Sequence, residues 1–510
     1  MSLLVALAIG FSIFDLNDNH RARHAIVDKE TGQLESNFIA WLQARKDFQF
    51  FRDKGVPYPV HVVAVEGGGL YAAYHVASFL AHLQDECPQF AQHTFAISWV
   101  SGGSLGGAVF AALANEKANN EAWQPCKPEA GRQGPFGEFT QRYFSQDFLS
   151  PLAAAALFPD FAQRFLPFPV YSLDRAVALE TAFERAWTRA AMATPHLSLD
   201  PSVNPFELPL DRTARADRSG PILFMNATTL ETGARLTLSP LELQATPTAL
   251  HVNHALLYPC SGEELGKSVQ MSLSTAVSLS ARFPWLTPVG WLERRAPDPS
   301  RIAQCREYKG QFGNRLYLAD GAYFENSGLE SSIELAARLR RLVEVHVAGG
   351  SASVQVNIIT IASSDAFATR WWHSDGDLST RGWGEILSPI FILMNTTKAR
   401  TRAVDSRTKF DDAFYFNGPY FKGDDIVELR DMGTGAITSH TRGYYRVMMD
   451  GTKFFLPLGW HLSSATRRNI DNHKSEWTSL SRCMLRQELM GEKFASTKEH
   501  ILRCRGRLAR

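Results

Sequence analysis

Neither sign of charge is in excess: 53 Lys and Arg face 52 Asp and Glu in 510 residues. That balance excludes the basic field of a general nucleic-acid binder and the self-repelling composition of a disordered chain. Cysteine is scarce, and none of the six is paired as CxxC, which removes the usual structural zinc site. Cys87, Cys126, Cys260, Cys305, Cys483 and Cys504 are scattered along the chain. In so long a chain they read as buried free thiols, with Cys260–Cys305 and Cys483–Cys504 as conceivable bridges. Long apolar runs are missing at the N-terminus. Leu3 to Phe14 is uncharged but too short to span a bilayer, and it lacks the basic region and small-residue cleavage site of a secretory signal. Three readings stay open for this run: a buried first helix, an interfacial anchor, or the remnant of a longer membrane segment. No internal repeat stands out.

Two strand–glycine–helix units follow. Valine-rich Tyr58 to Val65 predicts a strand, runs into Glu66-Gly67-Gly68-Gly69, and is followed by helical spacing from Tyr71 to Gln84. Apolar Phe95 to Val100 predicts a second strand, entering Ser101-Gly102-Gly103-Ser104-Leu105-Gly106-Gly107 and then a helix through Ala114. Two such units in succession predict a parallel or mixed sheet covered by helices. Further on, Ile222 to Thr229 and Arg235 to Leu238 read as a hairpin, and Arg315 to Leu318 as a short strand entering Asp320-Gly321-Ala322. Leu329 to Val345 is helical and Val354 to Ala362 a buried strand; a helix is expected over 384–403 and a strand over 413–421. Phe148 to Pro169 is apolar, aromatic and broken by prolines. It is either a buried cap over the core or the lid of an acyl-chain pocket.

The chemistry gathers at the glycines. Gly102-x-Ser104-x-Gly106 is a G-x-S-x-G pattern in the strand–turn–helix setting of a nucleophile elbow. Gly67, Gly68 and Gly69 lack side chains, so their N–H groups can turn toward one oxyanion. No Gly-Lys-Ser/Thr follows them, which disfavours a phosphate loop. Asp320, in a glycine-flanked turn at a strand end, is one candidate base. A conventional triad would use a histidine, and Ser104, Asp320 and His461 fall in the chain order of α/β-hydrolases; His75 and His440 are further candidates.

These three motifs, in this order, resemble those of patatin-like phospholipases: Glu66-Gly67-Gly68-Gly69, Gly102 to Gly106, and Asp320-Gly321-Ala322. The resemblance covers Tyr58 to about Val345. It implies an α/β fold, a central mixed, largely parallel sheet sandwiched between helices. It implies a Ser104–Asp320 dyad without histidine, with Gly67, Gly68, Gly69 and the Leu105 N–H as the oxyanion hole. The implied activity is hydrolysis of acyl esters in phospholipids or related lipids at a membrane surface, without cofactor, catalytic metal or nucleic acid. On this reading 1–16 is a short apolar segment and 17–463 the catalytic domain, with an insertion at 115–220. Residues 464–510 form a helical, basic tail, and the protein is membrane-associated and otherwise cytoplasmic. Leu70-Tyr71 stand where the family commonly has a basic residue. Two alternatives therefore stay open: a catalytically weak protein that binds lipid or a partner, and an esterase with a Ser104–Asp320–His461 triad.

Overall fold

The computed structural model describes residues 2–118, 121–127, 134–213, 220–243, 249–257, 267–282, 287–294, 315–362, 400, 426–430, 437–441, 443–448, 460–472, 476–494 and 497–508. The helix expected over 384–403 (apart from Arg400), the strand over 413–421, Cys260 and Cys305 lie outside these residues.

Strand β1 (Tyr58–Val65) is buried along its whole length, which is why its valines run without polar alternation. Among the described residues it belongs to a nine-stranded sheet with β2 (Thr94–Trp99), β3 (Ile222–Thr229), β4 (Arg235–Leu238), β5 (Ala249–His251), β6 (Gly290–Glu293), β7 (Arg315–Asp320), β8 (Val354–Ala362) and β9 (Tyr444–Met448). The order is β6-β7-β3-β2-β1-β8-β9, with β4 on β3 and β5 on β4. Strands β9, β8, β1, β2 and β3 are parallel; β7 joins β3, and β6 joins β7, antiparallel.

Alternate residues feed two cores. Val63, Val65, Ile97 and Trp99 pack with helices α3 (Gly69–Glu86), α4 (Gly102–Lys117), α7 (Arg175–Ala193) and α8 (Leu273–Ser280). Val60, Val62, Ala64 and Phe95 face helices α2 (Leu34–Gln43) and α9 (Leu329–His346). The fold is α/β, a mixed and largely parallel sheet between helical layers, as the sequence predicts.

One edge of β3 is shared between two strands. Its first half, Ile222 to Met225, pairs with Ala96 to Trp99 of β2. Its second half, Ala227 to Thr229, pairs antiparallel with Leu318 to Asp320 of β7. β4 occupies the opposite edge. Strands β2 and β7 therefore run toward each other and stop with only Asn226 between their last partners.

Helices α3 and α4 touch backbone to backbone. A Cβ on Gly102 would lie 2.0 Å from the Gly69 carbonyl oxygen, and one on Gly106 would lie 2.2 Å from that of Ala73. Glycines one turn apart thus serve close helix packing, a role any side chain would abolish.

Two expectations are corrected. Cys87 bridges Cys126 and Cys483 bridges Cys504, so these four cysteines are not free thiols. Chain return decides this, because the segment after α4 folds back on the end of α3, and α10 (Glu476–Leu489) packs on α11 (Thr497–Leu508). The 148–169 region is not a buried cap. It forms two short helices, α5 (Leu149–Leu157) and α6 (Pro159–Gln163), that bury Phe148 and Leu152 but expose Leu157, Phe158, Phe161, Phe165 and Phe168. Non-reducing peptide mapping should recover both cross-linked pairs, and reduction should lower the unfolding midpoint. Each bridge closes a loop worth about 3–4 kcal/mol in chain entropy; an unchanged midpoint would deny them a structural role.

Candidate active site

The turn between β2 and α4 is occupied by Ser101, with φ 53° and ψ −137°. It is one of three non-glycine residues with positive φ among the described residues. Such a backbone costs about 1–3 kcal/mol and persists only where its surroundings impose it. Ser280, the last residue of α8, does so. Its carbonyl accepts the Ser101 N–H at 3.0 Å, and its hydroxyl donates to the Asn226 carbonyl at 2.7 Å. The Asn226 amide in turn donates to the Trp99 carbonyl and to Ser98 Oγ, both at 3.1 Å, bracing the end of β2.

Ser104 lies elsewhere than the pentapeptide suggests. It sits in the first turn of α4, wholly buried, and its hydroxyl donates to Ser280 Oγ at 2.7 Å. Ser101 is 8% exposed and Ser104 0%, so only the former opens toward solvent. The elbow expected at Ser104, flanked by Gly102 and Gly106, is formed three residues earlier. Sequence reasoning missed Ser101. The signal available was its position directly after the apolar strand, before the first glycine.

Asp320 ends β7 and is completely buried. Its Oδ1 accepts the Ala322 N–H at 2.8 Å, while Oδ2 makes no aligned hydrogen bond. Burial raises its pKa from 3.8 to about 7, against the Ala322 amide and the Ser101 hydroxyl, which favour the charged form. The strand register sets the two residues close, since only Asn226 separates the last partners of β2 and β7 along β3. The nearby carboxyl, with burial the larger cause, also raises the Tyr323 phenol to about 12.

The glycine loop completes the group. Gly67 packs on the elbow, since a Cβ there would lie 2.8 Å from Ser101 Cβ. Its N–H donates to the Asn326 carbonyl at 2.9 Å. Gly68 and Gly69 have φ 154° and 69°, a path that turns straight into α3. Gly69 and Gly102 open α3 and α4, and opening N–H groups have no carbonyl within their own helices to bond. Leu105, once expected beside the oxyanion, is buried within α4. It is Gly102 that follows the elbow residue.

No histidine joins this group among the described residues. His461 is exposed, 3.7 Å from Asp147 of the surface, and His75 is buried within α3, where burial alone lowers it to about 4. The His440 side chain lies outside the described residues. The triad is thus not assembled through His461.

No family model matches the sequence, and no curated protein sequence is similar to it. Solved structures of human GIVD cytosolic phospholipase A2 are similar at a distance. One is 12% identical with a TM-score of 0.36, covering 82% of this chain and 59% of its own. The complex with methyl gamma-linolenyl fluorophosphonate is 13% identical with a TM-score of 0.34, covering 96% and 64%. This chain spans less than two thirds of the length of these proteins.

The Asp320 carboxyl ionises near 7 when folded and near 4 when unfolded. The folded state holds the extra proton between these values, so stability falls as pH rises from about 4 to about 7. Asp320→Asn removes that penalty. Its unfolding midpoint should exceed that of the wild type above about pH 7, by a margin of a few kcal/mol that vanishes near pH 4. A margin independent of pH would contradict the buried, charge-destabilised carboxyl.

Proposed function

We propose that this chain is a serine hydrolase of lipid acyl esters, with Ser101 as nucleophile and Asp320 as its base. One observation carries the reading. A serine held at a strained strand–helix turn meets a buried carboxyl of raised pKa beside a glycine loop and two helix N-termini. Ser101 Oγ attacks the ester carbonyl and passes its proton to Asp320, forming a tetrahedral oxyanion. The amides of Gly68, Gly69 and Gly102 are its donors, reinforced by the positive ends of α3 and α4. Collapse breaks the C–O bond and Asp320 returns the proton to the departing alcohol. Water then repeats the sequence on the Ser101 acyl ester. No histidine is required, because a carboxyl near 7 is matched to proton transfer at neutral pH. A lipid substrate is supported by the aromatic surface of α5 and α6. The Cys87–Cys126 and Cys483–Cys504 disulfides favour an oxidising compartment over the cytoplasm.

Two serine variants test the reading on a soluble acyl ester such as p-nitrophenyl butyrate. Ser101→Ala should lower kcat/KM by at least about a thousandfold. Ser104→Ala, which removes one buried hydrogen bond, should stay within about tenfold and lose about 1 kcal/mol of stability. A fluorophosphonate should label Ser101, and wild-type kcat/KM should rise with pH through an ionisation near 7 that Asp320→Asn abolishes. Labelling of Ser104 would restore the original pentapeptide. Labelling of neither serine would leave a lipid-binding protein without catalysis.

A further inference from the structure

Helix α1 (Ser2–Ile13) carries no charged residue and exposes Leu3, Leu4, Val5, Leu7, Ile9 and Ile13. At about 100° per residue these positions spread around the whole helix rather than along one stripe. A second exposed apolar surface lies at α5 and α6. From Pro151 to Tyr171 every exposed residue is Ala, Leu, Phe, Pro or Tyr, with Phe158 at 71% and Phe161 at 58%. The only charges in that stretch are Asp160, which is buried, and Arg164, which is half-buried and paired with it. Phenylalanine faces water and aspartate faces protein, the reverse of an ordinary surface.

A polar knot ties the two surfaces together. The Asn17 amide, just past α1, donates to the Arg164 carbonyl at 3.0 Å. The Arg164 guanidinium donates to His20 Nε2 at 2.8 Å and to Asp160 at 3.1 Å. With Nε2 accepting, His20 carries its proton on Nδ1 and donates it to Asp174 at 2.9 Å. Asp160 also pairs with Arg175. His20, Asp160 and Asp174 have the composition of a metal site, but guanidinium groups already supply its cations. The knot fastens the chain just past α1 to the residue just past α6.

We infer that α1 and the α5–α6 surface form one face that docks on a lipid bilayer. A protein partner covers one side of a helix and offers a polar rim, whereas α1 is apolar all round and needs an apolar solvent all round. These twelve residues reach about 18 Å of the roughly 30 Å hydrocarbon core, deep enough to enter the acyl-chain region. Exposed phenylalanines and Tyr171 beside it suit the headgroup boundary. The inference deepens the lipid-hydrolase reading but is read out by binding alone.

The test uses the full chain carrying Ser101→Ala, so that vesicles stay intact, in flotation with phosphatidylcholine vesicles. The chain should float, and raising salt to about 0.5 M should not release it, since the face is uncharged. Phe158→Glu with Phe161→Glu, and separately Leu4→Lys with Ile9→Lys, should each weaken flotation at least about tenfold. All four side chains are exposed, so unfolding midpoints should stay at the parent value. Flotation unaffected by either pair would overturn the inference. So would absence of flotation together with a dimer, seen by sedimentation, that these substitutions dissociate. In the Ser101 form, Leu4→Lys with Ile9→Lys should hydrolyse the soluble ester at the wild-type rate. Flotation without any ester hydrolysis would sink the catalytic reading and leave the docking face standing.

Discussion

The structure depends on one shared edge. Strand β3 offers a single row of backbone groups to two strands arriving from opposite directions, β2 for Ile222 to Met225 and β7 for Ala227 to Thr229. Their meeting point can hold no third strand, so both chains must leave it sharply. On one side the departure is Ser101, forced into a positive φ. On the other it is the turn at Asp320 into Gly321. The residue between them, Asn226, holds Ser98, Trp99 and Ser280 through its side chain and carbonyl. Backbone pairing thus sets the distance between hydroxyl and carboxyl, and rotamer choice plays the smaller part.

That placement is costly. A buried carboxylate with one good hydrogen bond is a poor contributor to stability, and the turn at Ser101 adds backbone strain. The cost is met by apolar cores on both faces of the sheet and by the backbone contact of α3 with α4, which lets two helix N-termini lie side by side. Those same termini supply the potential in which an oxyanion is stable. Packing and electrostatics are here two effects of the same glycines.

The fold was largely legible in the sequence because its strands are buried on both faces and read as apolar runs ended by glycine. The placement of Asp320 and the Gly67–Gly69 loop at strand ends was legible for a related reason, as polar or glycine residues that close such runs. The serine was not. Gly102, Gly103, Gly106 and Gly107 imitate the spacing of an elbow around Ser104, but in the fold they admit a neighbouring backbone or the Trp99 ring. A helix-packing pattern and an elbow pattern share one alphabet, and only the strained residue after the strand tells them apart. Cys483–Cys504 was among the conceivable bridges, whereas Cys87–Cys126 escaped because bridging depends on which distant segments return. The α5–α6 surface escaped because apolar composition alone does not say whether a side chain points in or out.

A site made where two strand ends abut is indifferent to what the chain does in between. Ser101 and Asp320 are delivered by pairing to β3, so the long stretch separating them can grow, shrink or acquire new surfaces without moving either group. The proposed catalytic pair is held like the fixed jaws of a vice, and the intervening chain does not set the distance between them. In this protein that stretch holds the outward-facing phenylalanines of α5 and α6. Side chains on that surface can therefore change without shifting the hydroxyl and carboxyl held at the strand ends.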